Sequence, residues 1–125
     1  MKKHSNLIKY DWIDFGVDIH TITSNKSLRY SDIYGCGENG RLVAFIVSIS
    51  TGKFLVATPS EINKKTLIIT FDSQEPELIK LLDKEYYRVL TIWHVKSYRP
   101  FCDISLRNRK YEEKIIYPWK PSKER

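Results

Sequence analysis

The amino-acid sequence predicts an α+β fold, a mainly antiparallel β-sheet of about six to seven strands with one amphipathic helix over about residues 74–85 packed on one face. Three observations carry that expectation. Short apolar or alternating runs recur along the chain, an Asn39-Gly40 pair offers the positive φ that a type I′ hairpin requires, and one stretch alone shows clean three- and four-residue apolar spacing. With 125 residues, 42% hydrophobic and 29% charged, the chain matches one globular domain, expected to span 1–125 with flexible ends at 1–6 and 118–125.

Ile13, Phe15, Val17 and Ile19 alternate with Asp14, Gly16, Asp18 and His20, the period-two signature of a half-buried strand running to about Thr23. Ser, Asn and Gly dominate the next stretch, read as a long loop with a short extended piece around Leu28 to Tyr34. After the Asn39-Gly40 turn, Arg41 to Ser50 is β-branched and aromatic, and Thr51-Gly52 turns into Lys53 to Thr58, ended by Pro59. Thr66 to Asp72 reads as an apolar strand. Ser73 then caps a helix whose first turn tolerates Pro76 and whose stripe is Leu78, Ile79, Leu81 and Leu82. Tyr87 to Tyr98 is a long central strand, and Phe101 to Leu106 and Tyr111 to Tyr117 are two shorter ones joined by a charged tip.

Composition narrows the function classes. The Met-Lys-Lys start is followed by Lys9, Asp11 and Asp14 rather than the apolar core of a signal peptide. The longest unbroken apolar run, Leu42 to Val47, falls far short of the ~20 residues that span a bilayer. No membrane partner is expected, and with only Cys36 and Cys102 the sequence fits a reducing cytoplasm. Net charge is +6, and residues 88–125 hold 10 basic against 4 acidic side chains, so the excess lies in the last third.

Gly35, Gly37 and Gly40 spell G-x-G-x-x-G, but a dinucleotide loop needs a strand before it and a helix after it, and here the pattern is expected to lead into a strand. The kinase version of the pattern does place a strand afterwards, but Asp14-Phe15-Gly16 precedes the loop, no H-R-D-type loop is present, and the chain is far too short for a kinase. On a strand, Asp18 and His20 would be neighbours on one face, an acid beside an imidazole. His20 and His94 with a cation would suffice for a metal-independent ribonuclease, so His20, His94 and Asp18 are the catalytic candidates. No cysteine–histidine spacing suggests a metal, no cofactor is implied, and Cys36 has no evident base.

Basic and aromatic residues interleave late in the chain. Lys96, Arg99, Arg107, Arg109, Lys110 and Tyr111 are therefore the candidate partner-binding residues, for a protein with an acidic surface or for RNA or single-stranded DNA. With no complete catalytic constellation, the sequence reads first as a non-enzymatic inhibitor or immunity-type protein that neutralises a partner such as a toxin. A nucleic-acid-binding module and a small ribonuclease follow.

Overall fold

The structure is a computed structural model and describes residues 7–26, 28–82, 88–95 and 103–119. Its elements run β1 (Leu7–Lys9), α1 (Trp12–Thr23), β2 (Asp32–Cys36), α2 (Gly37–Thr51), β3 (Phe54–Leu55), a 3₁₀ turn (Pro59–Glu61), β4 (Thr66–Asp72), α3 (Pro76–Leu82), β5 (Arg88–Val95), β6 (Ile104–Arg109) and β7 (Lys114–Ile116). The main sheet has five strands in the order β3-β2-β4-β5-β6, and every neighbouring pair is parallel. β1 and β7 form a separate parallel ribbon. The expected antiparallel sheet is therefore overturned, and the fold is α/β.

Residues 13–23 are helix, not strand. Asp11 caps α1 by accepting from the Asp14 N–H at 2.9 Å, while the Asp14 carboxylate accepts from the Asp11 N–H at 3.1 Å, a capping box that satisfies two otherwise orphaned donors. Phe15, Asp18 and Ile22, three and four residues apart, are the buried face. Ile13 and Val17, half of the apparent alternation, are 76% and 54% exposed.

Residues 37–51 are likewise helix. Gly40, Val43, Ala44 and Val47 form a stripe fully inside the molecule, and each buried valine contributes ~1.5–3 kcal/mol. Phe45 and Ile49 point outward and gave the segment its strand-like apolar density. Thr51-Gly52 is no hairpin turn. Gly52, at φ 76°, is the left-handed residue that ends α2.

The sheet is covered on both faces. Phe15, Ile22, Val43, Val47, Ile33, Leu67, Ile69, Leu90 and Ile92 form the core on the α1/α2 face. Tyr34, Cys36, Val56, Ile68, Leu78 and Val89 form a smaller one under α3. β4 is buried from Thr66 through Phe71, as a central parallel strand must be. The expected helix is present as α3, and β4 keeps its expected bounds. Among the described residues no helix is long and apolar enough to cross a membrane.

Candidate active-site crevice at the carboxyl edge of the sheet

From β2 the chain steps outward to β3, then returns past β2 to β4 and continues through β5 to β6. α2 leaves β2 toward one face and α3 leaves β4 toward the other, so the carboxyl ends of β2 and β4 part to leave a crevice, the usual ligand position in an open parallel sheet. The G-x-G-x-x-G pattern lies here. The strand-then-helix context that the sequence reading denied it is present, with β2 ending at Cys36 and α2 beginning at Gly37. A Cβ on Gly35 would lie 2.7 Å from both the Arg41 Cα and the Gly40 carbonyl oxygen, and one on Gly40 would lie 3.0 Å from the Ile69 carbonyl oxygen. These two glycines let α2 press onto β2 and β4.

The amino terminus of α2 concentrates unsatisfied N–H groups and partial positive charge, and no side chain of its N-cap Cys36 satisfies them. A carboxylate from the other side of the crevice does. Glu77, in the first turn of α3, accepts from the Gly37 N–H at 2.9 Å through Oε1 and from the Tyr34 hydroxyl through Oε2, with Arg41 Nη1 3.7 Å from Oε1. Glu75 stands beside it, close enough that a Cβ on Gly37 would meet its carboxylate, and it accepts from the Glu77 N–H at 3.3 Å. Burial, then the bond to Glu77, holds the Tyr34 phenol well above its usual range. Burial and the neighbouring Glu77 and Glu75 likewise raise the Cys36 thiol, which favours the neutral thiol over the thiolate.

Next to the crevice the β1–β7 ribbon and the segment that leaves β7 fold over the end of β4. Trp119 donates from Nε1 to Asn39 Oδ1 at 3.2 Å and stacks on Tyr117, with ring centres 5.4 Å apart and planes 8° from parallel. Both rings meet Phe71 edge-on. Arg109 fastens the turn before β7: Nε donates to Asp72 Oδ2 at 2.7 Å, Nη2 to Gln74 Oε1 at 3.2 Å, and Nη1 to the carbonyls of Lys110, Tyr111 and Glu113. Between this turn and the sheet edge lies a cavity of about 550 Å³ lined by Asp72, Gln74, Arg109, Tyr111, Ile115 and Tyr117, among others.

The sequence candidates are distributed differently. Asp18 and His20, two apart on a helix, do not share a face. Asp18 is buried, accepting from the Tyr10 hydroxyl at 2.5 Å and from Arg107 Nε at 2.8 Å, whereas His20 is exposed in the last turn of α1. His94 is half-buried on β5, and its Nδ1 has no hydrogen-bond partner among the described residues. Arg107 also lies over the Tyr10 and Trp93 rings, and its hydrogen bond to Asp18 raises its pKa. Arg107 and Arg109 thus serve the fold as ion pairs, while Lys110 and Tyr111 are exposed beside the cavity. Lys96 and Arg99 lie outside the described residues, as do His4 and Cys102. Among the described residues no group of three metal-ligating side chains occurs. Glu75 and Glu77 were missed because nothing in sequence links them to Gly37, 40 residues from Glu77.

No protein-family model and no curated protein sequence matches the chain. Solved structures do. The chain is similar to a purine phosphoribosyltransferase from Pyrococcus horikoshii, with a TM-score of 0.69 at 15% identity over 93% of this chain and 95% of that one. It is also similar to the Helicobacter pylori xanthine-guanine-hypoxanthine phosphoribosyltransferase, with a TM-score of 0.68 at 11% identity over 94% and 96%. The fold is that of the phosphoribosyltransferases. That finding overturns the inhibitor or immunity-type reading, since the solved structures that share this fold over 93% and 94% of the chain are enzymes by title.

Proposed function

We propose that the protein binds a purine or purine nucleotide in the cavity between the ribbon and the carboxyl edge of the sheet. The observation that carries this reading is the cavity's position and lining. It adjoins the crevice where parallel α/β sheets take ligands, its volume lies within the ~300–1,000 Å³ of small-molecule sites, and it pairs an exposed ring, Tyr111, with the polar groups of Gln74 and Asp72. The fold similarity to two purine phosphoribosyltransferases supports the same ligand class.

Transfer of a phosphoribosyl group needs more than a base site, because its donor brings several phosphate charges to the sheet edge. Here the α2 amino terminus receives Glu77 instead, with Glu75 alongside, and both nearby arginines face carboxylates. Glu77 occupies the position an anion would take. The reading is accordingly a purine site whose phosphate pole is closed by the chain's own carboxylate. The protein works in the cytoplasm on this reading, where such ligands abound and where Cys36 stays a buried thiol.

Calorimetric titration with hypoxanthine, guanine, xanthine and their nucleoside monophosphates tests it. Binding is expected for at least one, weakened about fivefold or more in Tyr111→Ala through loss of a stacking contact of ~1–3 kcal/mol. Absence of binding to all of them at millimolar concentration, or identical affinity in folded Tyr111→Ala and Gln74→Ala, refutes the reading.

A further inference from the structure

The opposite, amino-terminal edge of the sheet carries a second cavity, of about 680 Å³, lined by Lys26, Arg29, Lys53, Lys64, Lys65 and Arg88 around Tyr30 and Ser31. All strands of a parallel sheet begin on one edge, and the sequence places a cation at several of those beginnings. Lys53 precedes β3, Lys65 precedes β4 and Arg88 opens β5, while Arg29 lies three residues before β2. β3, β2, β4 and β5 are consecutive neighbours, ~4.8 Å apart, so these charges are gathered in a row.

Among the described residues the charges are oriented without being paired to carboxylates. Lys53 Nζ donates to the Tyr30 carbonyl at 2.9 Å and lies 5.0 Å from the centre of the Tyr30 ring, and Arg88 donates to the Arg29 carbonyl. Backbone bonds from Ser31 N–H to the Lys65 carbonyl at 2.8 Å, and from Lys65 N–H to Asn63 Oδ1 at 2.8 Å, fix the two loops that meet here. Among the described residues none of the six cations forms an ion pair with a carboxylate, and no carboxylate lines the cavity. The carboxyl ends of α1 and α2 reach this edge, and their macrodipoles supply about half a negative charge each. Asp32, which opens β2 in register with Phe54 and Thr66, adds one negative charge at this edge, so among the described residues roughly four of the six positive charges are left over.

We propose that this cavity is a polyphosphate site, taking a small ligand that carries two or more phosphate groups. Its concave shape and small-molecule volume favour such a ligand over a nucleic-acid strand, whose phosphates would track an extended stripe. The site is separate from the crevice, with the length of the sheet between them.

Inorganic tripolyphosphate is the probe, titrated at low salt into the isotope-labelled full chain while amide shifts are followed by NMR. Saturable shifts centred on Ser31, Lys53, Lys65 and Arg88 are expected, with affinity reduced at least tenfold in the Lys53→Gln/Arg88→Gln protein. The exposed pair Lys64→Glu/Lys65→Glu reports the same loss if the first variant does not fold. Inorganic sulfate at matched ionic strength leaves the titration unchanged if the site is specific for linked phosphates. No saturable shift at millimolar probe, shifts centred on Gly37 instead, unaltered affinity in the folded variants, or tighter binding of a short single-stranded oligonucleotide of equal charge overturns the proposal.

Discussion

Replacing Glu77 reopens the anion position at the start of α2, and the structure sets the size of the effect. The carboxylate holds two hydrogen bonds, from Gly37 N–H and the Tyr34 hydroxyl, and a hydrogen bond to a charged group contributes ~1.5–3 kcal/mol. The contact with Arg41 adds little, because Arg41 is 63% exposed and such pairs contribute ~0–1 kcal/mol. Glu77→Ala should therefore lower stability by ~2–4 kcal/mol, less than the plain sum because the two bonds share one group and water reaches it. Glu77→Gln keeps one acceptor oxygen and should cost ~1 kcal/mol. In return, an anion arriving at the Gly37 N–H no longer meets the Glu77 charge, leaving only that of Glu75 nearby. That repulsion is ~4 kcal/mol at 4 Å for an effective dielectric near 20, and solvent reduces it because the Glu77 side chain is 29% exposed. At least a tenfold gain in pyrophosphate affinity is expected, measured by calorimetry on Glu77→Gln beside the unaltered protein, with urea unfolding as the companion experiment. Equal affinity in the two folded proteins, or a Glu77→Ala variant as stable as the parent, refutes the assignment of Glu77 as the group that closes this position.

Three further outcomes are expected. Arg107→Ala leaves Asp18, 4% exposed, with only the Tyr10 hydroxyl, and should destabilise by ~2–4 kcal/mol in denaturant titration; a change below ~1 kcal/mol would mean the pair is dispensable. Gly35→Ala forces a Cβ against backbone atoms at 2.7 Å and should cost ~1–3 kcal/mol, so a neutral effect would contradict the close seating of α2. Tyr10 and Tyr34 have folded pKa values raised by burial and by carboxylate partners, so their contribution to stability is complete below the unfolded value near 10 and is lost as pH rises beyond it. Ultraviolet titration should show two phenols ionising only together with unfolding, and smooth ionisation of all tyrosines in the folded state would contradict this.

The parts of the fold that were legible in the sequence are those where local pattern and tertiary environment agree. Thr66 to Asp72 reads as an apolar strand because it is central and covered on both faces, and Leu78 and Leu81 carry helical spacing because α3 packs one side on the sheet. α1 and α2 misled for opposite reasons. In α1 the outward Ile13 and Val17 completed a false alternation, while the Asp11–Asp14 capping box was the overlooked sign of a helix start. In α2 the Asn39-Gly40 pair imitated a turn, yet Gly40 is there because Ile69 and Thr70 leave no room for a Cβ. Once both helices were read as strands, the antiparallel sheet followed. The late arginines were correctly seen as concentrated charge, but their carboxylate partners, Asp18 and Asp72, lie 89 and 37 residues away and no local pattern links them. The crevice was illegible for the same reason, since two strand-to-helix turns build it.

The β1–β7 ribbon bears on how the chain assembles. Leu7–Lys9 is the first of the described strands to be synthesised, and its partner, Lys114–Ile116, is the last of them. The five-stranded sheet has all its strands by Arg109, so its framework can form while the opening segment still waits. Closing the cavity wall near Tyr117 is then a late event in the life of the nascent protein, and the site matures only when β1 and β7 meet.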